Sequence, residues 1–274
     1  MAKNVVITQE DKYAAGIFFN SALPLLKVIA ESEPKSGNKF KGKSFVFQVS
    51  ALTGDNAEKM ATHFVVEDGK WNTFVNKVHE NPDLEFIFPN LRNFVIFFSG
   101  KGMPLPKIKG LTKFGIFIPI LLTLLRMAGL LQAKNPPQKE YDRALLVKLY
   151  FYLLSSGISQ LNKMGHPEVK AFTEPSPDRA YAYAVIGQPD LQAWLRIKAG
   201  NSKAGRGEYP RCKPFLTMKF DNTVHALDIL MSKGDMIEYM KEGYLIIEGA
   251  PEFGGTLGAL MMLVGYYAQG QYLK

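Results

Sequence analysis

The sequence predicts an α+β chain of two tandem modules, each a mainly antiparallel five-stranded sheet packed on helices, with the first copy short of one strand. Three observations lead there. Residue identities recur at a fixed offset, each copy opens with an apolar stretch of helical period, and each continues into short segments of strand period. The 274 residues are enough for two domains with separate cores, expected at 1–135 and 138–274.

The offset is the strongest signal. Phe88, Asn90, Lys101 and Gly102 return as Phe220, Asn222, Lys233 and Gly234, 132 residues later and without a gap. The opening helices are marked by Tyr13, Ile17, Phe18, Leu25, Leu26 and Ile29 in one copy, and by Leu146, Leu149, Tyr150, Leu153, Leu154, Ile158 and Leu161 in the other. Pro34 and Pro167 close these stretches.

Strand patterns follow at Phe45–Val49, His63–Val66, Leu84–Phe88 and Phe94–Phe98, with a turn at Glu67-Asp68-Gly69. The second copy has them at Tyr181–Ile186, Leu191–Ile197, Phe215–Phe220 and Tyr244–Ile247. Each copy ends in an apolar helix, where Phe114-Gly115 matches Phe253-Gly254 and the offset has grown to 139. The seven added residues equal the length of GYLIIEG, Gly243 to Gly249, which predicts that this strand is missing from the first copy. Asn135-Pro136-Pro137 cannot continue a helix and reads as the linker.

Composition narrows the function. Hydrophobic residues make up 47% and charged residues 21%, which excludes a disordered chain. A single cysteine, Cys212, excludes an internal disulfide, and no Cys/His cluster has zinc spacing, so neither metal nor cofactor is expected. The first ten residues lack the apolar core of a signal peptide, and a cytoplasmic protein is the expectation.

The net charge of +8 favours anionic partners such as an anionic membrane surface. Basic residues gather at Lys101, Lys107, Lys109 and Lys113, and again from Arg196 to Lys219. Neither group is interleaved with aromatics in an RNP-like strand or recognition helix, so nucleic acid is not expected. Phe114–Ala133 has the length of a membrane span, but Arg126 and Pro119 interrupt it, and it reads as a buried or interfacial helix.

Phe215 to Val264, FLTMKFDNTVHALDILMSKGDMIEYMKEGYLIIEGAPEFGGTLGALMMLV, resembles the closing block of the type-2 sterol carrier protein family. That block similarly has a strand, an acidic turn, a helix, a Gly-Asp step, a strand ending in glycine and a final apolar helix. FFSGKGMPLPKIKG, Phe97 to Gly110, is similar to the same block in a diverged form. The resemblance implies a five-stranded sheet backed by helices around an apolar tunnel. It also implies carriage of a sterol or fatty acyl ligand without catalysis.

The residues themselves are compatible with that role. The candidate ligand-binding set is Phe117, Ile120, Leu121, Leu124 and Leu125 in the first copy. In the second it is Phe220, Leu227, Leu230, Met236, Met240, Leu257, Leu260, Met261 and Val264. Apolar residues at helical spacing equally serve as ordinary core. Methionine is unbranched and adapts to flexible chains as well as to irregular packing. Burying an acyl chain of about 16 carbons at ~0.8 kcal/mol per methylene offers on the order of 12 kcal/mol before ordering costs, so binding needs shape alone.

No G-x-S-x-G, H-E-x-x-H or P-loop motif is present, and the glycines at 254, 255 and 258 fit no nucleotide fingerprint. His225 and Asp228 lie one helical turn apart, and Cys212 sits between Arg211 and Lys213. Three functional readings follow: a non-catalytic carrier of fatty acid, acyl thioester or sterol-like lipid; an enzyme or enzyme subunit acting on lipid thioesters through His225 or Cys212; and a module that forms a homodimer through Phe114–Leu131.

Overall fold

The computed structural model describes residues 6–54 and 58–273. It forms two compact units: one holds the residues up to Gly129 together with those from Tyr266 onward, the other Leu130–Gly265. The division falls a few residues before the proline linker, and the last residues of the chain cluster with the first unit.

In the first unit, α1 (Gln9–Ile17), a π-helical turn (Phe18–Ala22) and α2 (Leu25–Ser32) run nearly end to end, followed by α3 (Pro34–Gly37). Thr8 and Asp11 make a reciprocal capping box that satisfies the first free amides of α1. The sheet follows as β1 (Phe45–Leu52), β2 (Lys59–Glu67), β3 (Lys70–Val75) and β4 (Leu84–Phe88). Next come α4 (Leu91–Phe98), β5 (Lys107–Lys109) and α5 (Phe114–Leu131).

The second unit repeats this plan with α6 (Glu140–Lys163), α7 (Pro167–Thr173), β6 (Arg179–Val185), β7 (Gln188–Lys198), β8 (Asn201–Arg206) and β9 (Leu216–Phe220). It closes with α8 (Thr223–Leu230), α9 (Met236–Lys241), β10 (Leu245–Gly249), a 3-10 turn (Pro251–Phe253) and α10 (Gly254–Ala268).

Both sheets have five strands and one topology. The orders are β3-β2-β1-β4-β5 and β8-β7-β6-β9-β10, with the first strand of each unit at the centre. β1 pairs in parallel with β4 and β6 with β9, and every other pairing is antiparallel. The α+β class and the two modules of sheet packed on helices are therefore as the sequence predicts, and the first sheet has the strand it was expected to lack.

Three local expectations are corrected. Phe94–Phe98 is helical, not extended: Asn90 caps α4 by accepting the amide of Asn93 at 2.8 Å, as Asn222 caps α8 by accepting those of Val224 and His225. A run of apolar residues does not by itself distinguish buried helix from strand, and the cap decides it. The strand thought missing is present as β5, with Ile108 opposite Phe86. The seven surplus residues therefore belong to α9 and its flanks, where the first unit has Pro104 and Pro106 instead. Finally, β3 and β8 were not among the expected strands; β8 is NSKAGR, whose Gly205 has no room for a β-carbon beneath the ring of Trp194.

The cores lie on the helix-covered faces. Phe47 stacks on Phe64 at 5.8 Å, and Phe19 on Phe94 at 4.0 Å. In the second unit Phe151 of α6 stacks on both Tyr183 and Phe220. Asn162 ties α6 to the sheet edge by donating to the carbonyl of Gly200 and to Ser202 Oγ, each at 2.9 Å.

Candidate functional site

In the second unit the candidate residues divide into two groups. Phe220, Leu227, Leu257, Leu260, Met261 and Val264 are buried, whereas Leu230 and Met236 are half-buried and Met240 is exposed. The inner group is positioned by packing. A β-carbon on Gly157 of α6 would stand 2.5 Å from Val264 Cγ1, so α10 approaches α6 as closely as a glycine allows. Phe220 joins the aromatic row with Phe151.

The outer group sits where the chain is locally capped but loosely covered. Asp235 caps α9 by accepting the amide of Glu238 at 2.8 Å. Yet no side chain of α9 is fully buried, although Met236, Ile237 and Met240 are apolar. Met236 lies against α10 at Gly258, where a β-carbon would be 3.4 Å from its Cε. Leu230, Met231, Met236 and Ile247 are all only partly covered. Ile247 meets α10 in the same way, at Gly254, so two half-buried apolar side chains, Met236 and Ile247, lie along α10.

That interior holds one polar group which the sequence did not single out. Tyr183 is fully buried, and its hydroxyl has no hydrogen-bond partner among the described residues. Burial pushes the phenol well above its ordinary 10.0. Tyr183 lies opposite Met218 in the parallel pairing, on the sheet face that carries Phe220. A tyrosine in a run of alternating alanines, AYAYAV, gives a sequence reader no hint that its oxygen is unpaired.

In the first unit the α5 candidates do not share one environment. Ile120 is buried and Phe117 and Leu124 are half-buried, but Leu121 is 36% and Leu125 59% exposed. The helix, read from the sequence as buried or interfacial, is covered on one side. Arg126 holds that side in place, pairing with the mostly buried Glu33 at 2.7 Å.

The first unit also carries a buried polar cluster on the other face of its sheet. Glu85 Oε1 accepts from Gln48 Nε2 at 2.8 Å, Ser50 Oγ at 2.7 Å and Lys59 Nζ at 2.9 Å. Burial opposes the charge on Glu85, but those hydrogen bonds outweigh it and hold the carboxyl below its ordinary 4.5. Gln48 and Ser50 alternate with apolar residues in β1, so they read as surface; the segment before β4, where His79 N donates to Gln48 Oε1, covers them.

The catalytic candidates do not converge. The acidic partner of His225 is Asp221, whose Oδ1 lies 2.8 Å from Nδ1, and not Asp228, which accepts from Tyr239. His225 also stacks on Tyr244 at 3.9 Å and is partly exposed. Cys212 is exposed. Among the described residues no group of three or more His, Cys, Asp or Glu could hold a metal ion.

No family model matches the chain, and no curated protein matches it. Among solved structures it is similar to the UbiJ-SCP2 ubiquinone synthesis protein, at 16% identity over 41% of this chain and 96% of that one, TM-score 0.31. It is also similar to a conserved hypothetical protein of Thermus thermophilus described as possibly a sterol carrier protein, at 11% identity over 47% and 90%, TM-score 0.30. Sterol carrier protein domain 2 of Helicoverpa armigera matches at 19% over 41% and 91%, TM-score 0.28. A sec-alkylsulfatase of Pseudomonas matches over 55% of this chain and 29% of its own length, at 13% identity and TM-score 0.25.

Proposed function

We propose that the second unit binds an apolar ligand non-catalytically, beneath α8, α9 and α10, and releases it by movement of α9. The observation that carries this is the incomplete burial of α9: a helix of six residues whose Met236, Ile237 and Met240 are apolar and yet not fully buried. Leu230 at the end of α8 is half-buried too, and of the methionines of α9 Met236 is half-buried and Met240 exposed. A helix held by the Asp235 cap, by Tyr239 Oη donating to Asp228 at 3.0 Å and by one half-buried methionine, Met236, opens at lower cost than the packed interior. The ligand class implied by the resemblance to sterol carriers is a fatty acid, acyl thioester or sterol-like lipid, and burial of its methylenes supplies the affinity.

The test is displacement of a dansyl-labelled fatty acid from the full-length protein, with native mass spectrometry for co-purified lipid. Saturable binding at micromolar concentration or tighter is expected. Met236→Lys and Met240→Lys together should weaken it at least about tenfold without altering the melting transition, because both side chains already reach solvent. Absence of both probe binding and co-purified lipid would sink the reading.

A further inference from the structure

Among the described residues three helices are long and apolar enough to cross a membrane by length and composition: Gln9–Ser32, Phe114–Leu131 and Glu140–Lys163. In the first and third the fold uses that character, with 89% and 67% of the most apolar stretch buried, whereas in α5 only 22% is. The uncovered residues are Phe114, Ile118, Leu121, Leu122 and Leu125, between 36% and 61% exposed. Their spacing of i, i+4, i+7, i+8 and i+11 places them on one side of the helix, over a length of about 16 Å. Met103 and Leu105, in the loop between α4 and β5, are 78% and 72% exposed. A continuous apolar face of this kind in water marks a docking surface.

Charge says what docks. Between Glu85 and Glu140 the chain has no acidic residue, while Arg92, Lys101, Lys107, Lys109, Lys113, Arg126, Lys134 and Lys139 fall in that interval. Lys101, Lys107 and Lys109 are exposed, immediately before the apolar face. We infer that α5 docks the protein on an anionic lipid surface, lying in the interface with its apolar face inserted and these lysines among the headgroups. A second copy fits less well, because pairing this face with itself would bring two like-charged clusters together.

The helix lies on the surface and does not cross it. Its other side is tied into the first unit by Arg126 to Glu33, by Lys43 Nζ donating to the carbonyl of Gly115 at 2.6 Å, and by Phe117 against Phe86. Crossing would break these contacts and carry Arg126 into hydrocarbon. The inference does not depend on the ligand site of the second unit, and its test leaves that site untouched.

The experiment is flotation of the full-length protein with vesicles of phosphatidylcholine alone and with about a third phosphatidylglycerol. Association at least about tenfold stronger with the anionic vesicles, and weakened by salt, is the expected result. Leu121→Asp with Leu125→Asp should abolish it. Lys101→Ala, Lys107→Ala and Lys109→Ala together should weaken it roughly a hundredfold, at about fivefold per cation, with no change in melting. Equal or absent binding to the two vesicle types overturns the inference. So does light scattering that shows a dimer dispersed by Leu121→Asp, since the face would then be a contact between copies.

Discussion

Gly249 lies so close to Phe215 that a β-carbon on it would collide with the Phe215 carbonyl oxygen, and Gly110 stands in the same relation to Asp83. Both glycines have positive φ, +100° and +82°; Gly249 ends the fifth strand of its sheet and Gly110 directly follows its own, each beside the start of the fourth. The pairs are related by offsets of 139 and 132, the two values found in the sequence. One backbone crossing is thus built twice.

Gly249→Ala and Gly110→Ala should each destabilise the protein by about 2–4 kcal/mol, combining backbone strain with a steric clash. Urea denaturation measures it. A loss below about 0.5 kcal/mol in both would mean that the crossing is looser than described.

Glu85 makes the first unit sensitive to acid. Its carboxyl is held below 4.5 in the folded protein, so the stability it contributes is present above that pH and disappears as pH falls through the lower folded value. Glu85→Ala should cost about 3 kcal/mol at neutral pH, because it strips the half-buried Lys59 of its partner. The difference between the variant and the parent should shrink steadily below pH 4.5. Denaturation midpoints measured across that range would show no such convergence if the cluster were fully hydrated.

Tyr183 has the opposite dependence. Its phenol stays protonated when folded but ionises above pH 10.0 when unfolded, so stability falls as pH rises past that value. Tyr183→Phe should remove this part of the alkaline loss. At pH 7 it should be neutral or stabilising by up to about 1 kcal/mol, since it deletes a buried hydroxyl that lacks a partner. Thermal melts of both proteins at the two pH values decide it; destabilisation at pH 7 would show that the oxygen is satisfied.

The sequence made the repeat readable where geometry dictates residue type. Asn90 and Asn222 are alike because each caps a helix, and Gly110 and Gly249 because each needs positive φ beside another backbone. Two edge strands, β5 and β8, were not readable: β5 is two lysines around Ile108, and β8 is NSKAGR, since edge positions face water. The seven-residue difference was visible as a number and assigned to the wrong element, because a count does not say which of two neighbouring segments was inserted.

The candidate site was legible only as composition. Val264 and Met240 look alike as apolar residues on helices, but one is clamped against Gly157 and the other faces solvent. Glu85 and Tyr183 depend on neighbours far away in sequence, and no local pattern announces them.

The chain's two ends are bound together. Tyr267 Oη donates to Glu10 at 2.6 Å, and Tyr272 Oη to the fully buried Asp11 at 2.9 Å. Severing the protein at its prolines would therefore not release two equal halves. The amino-terminal fragment would lose the tyrosines that donate to Glu10 and Asp11 of its first helix, so the first unit is completed by residues that lie more than 250 positions along the chain.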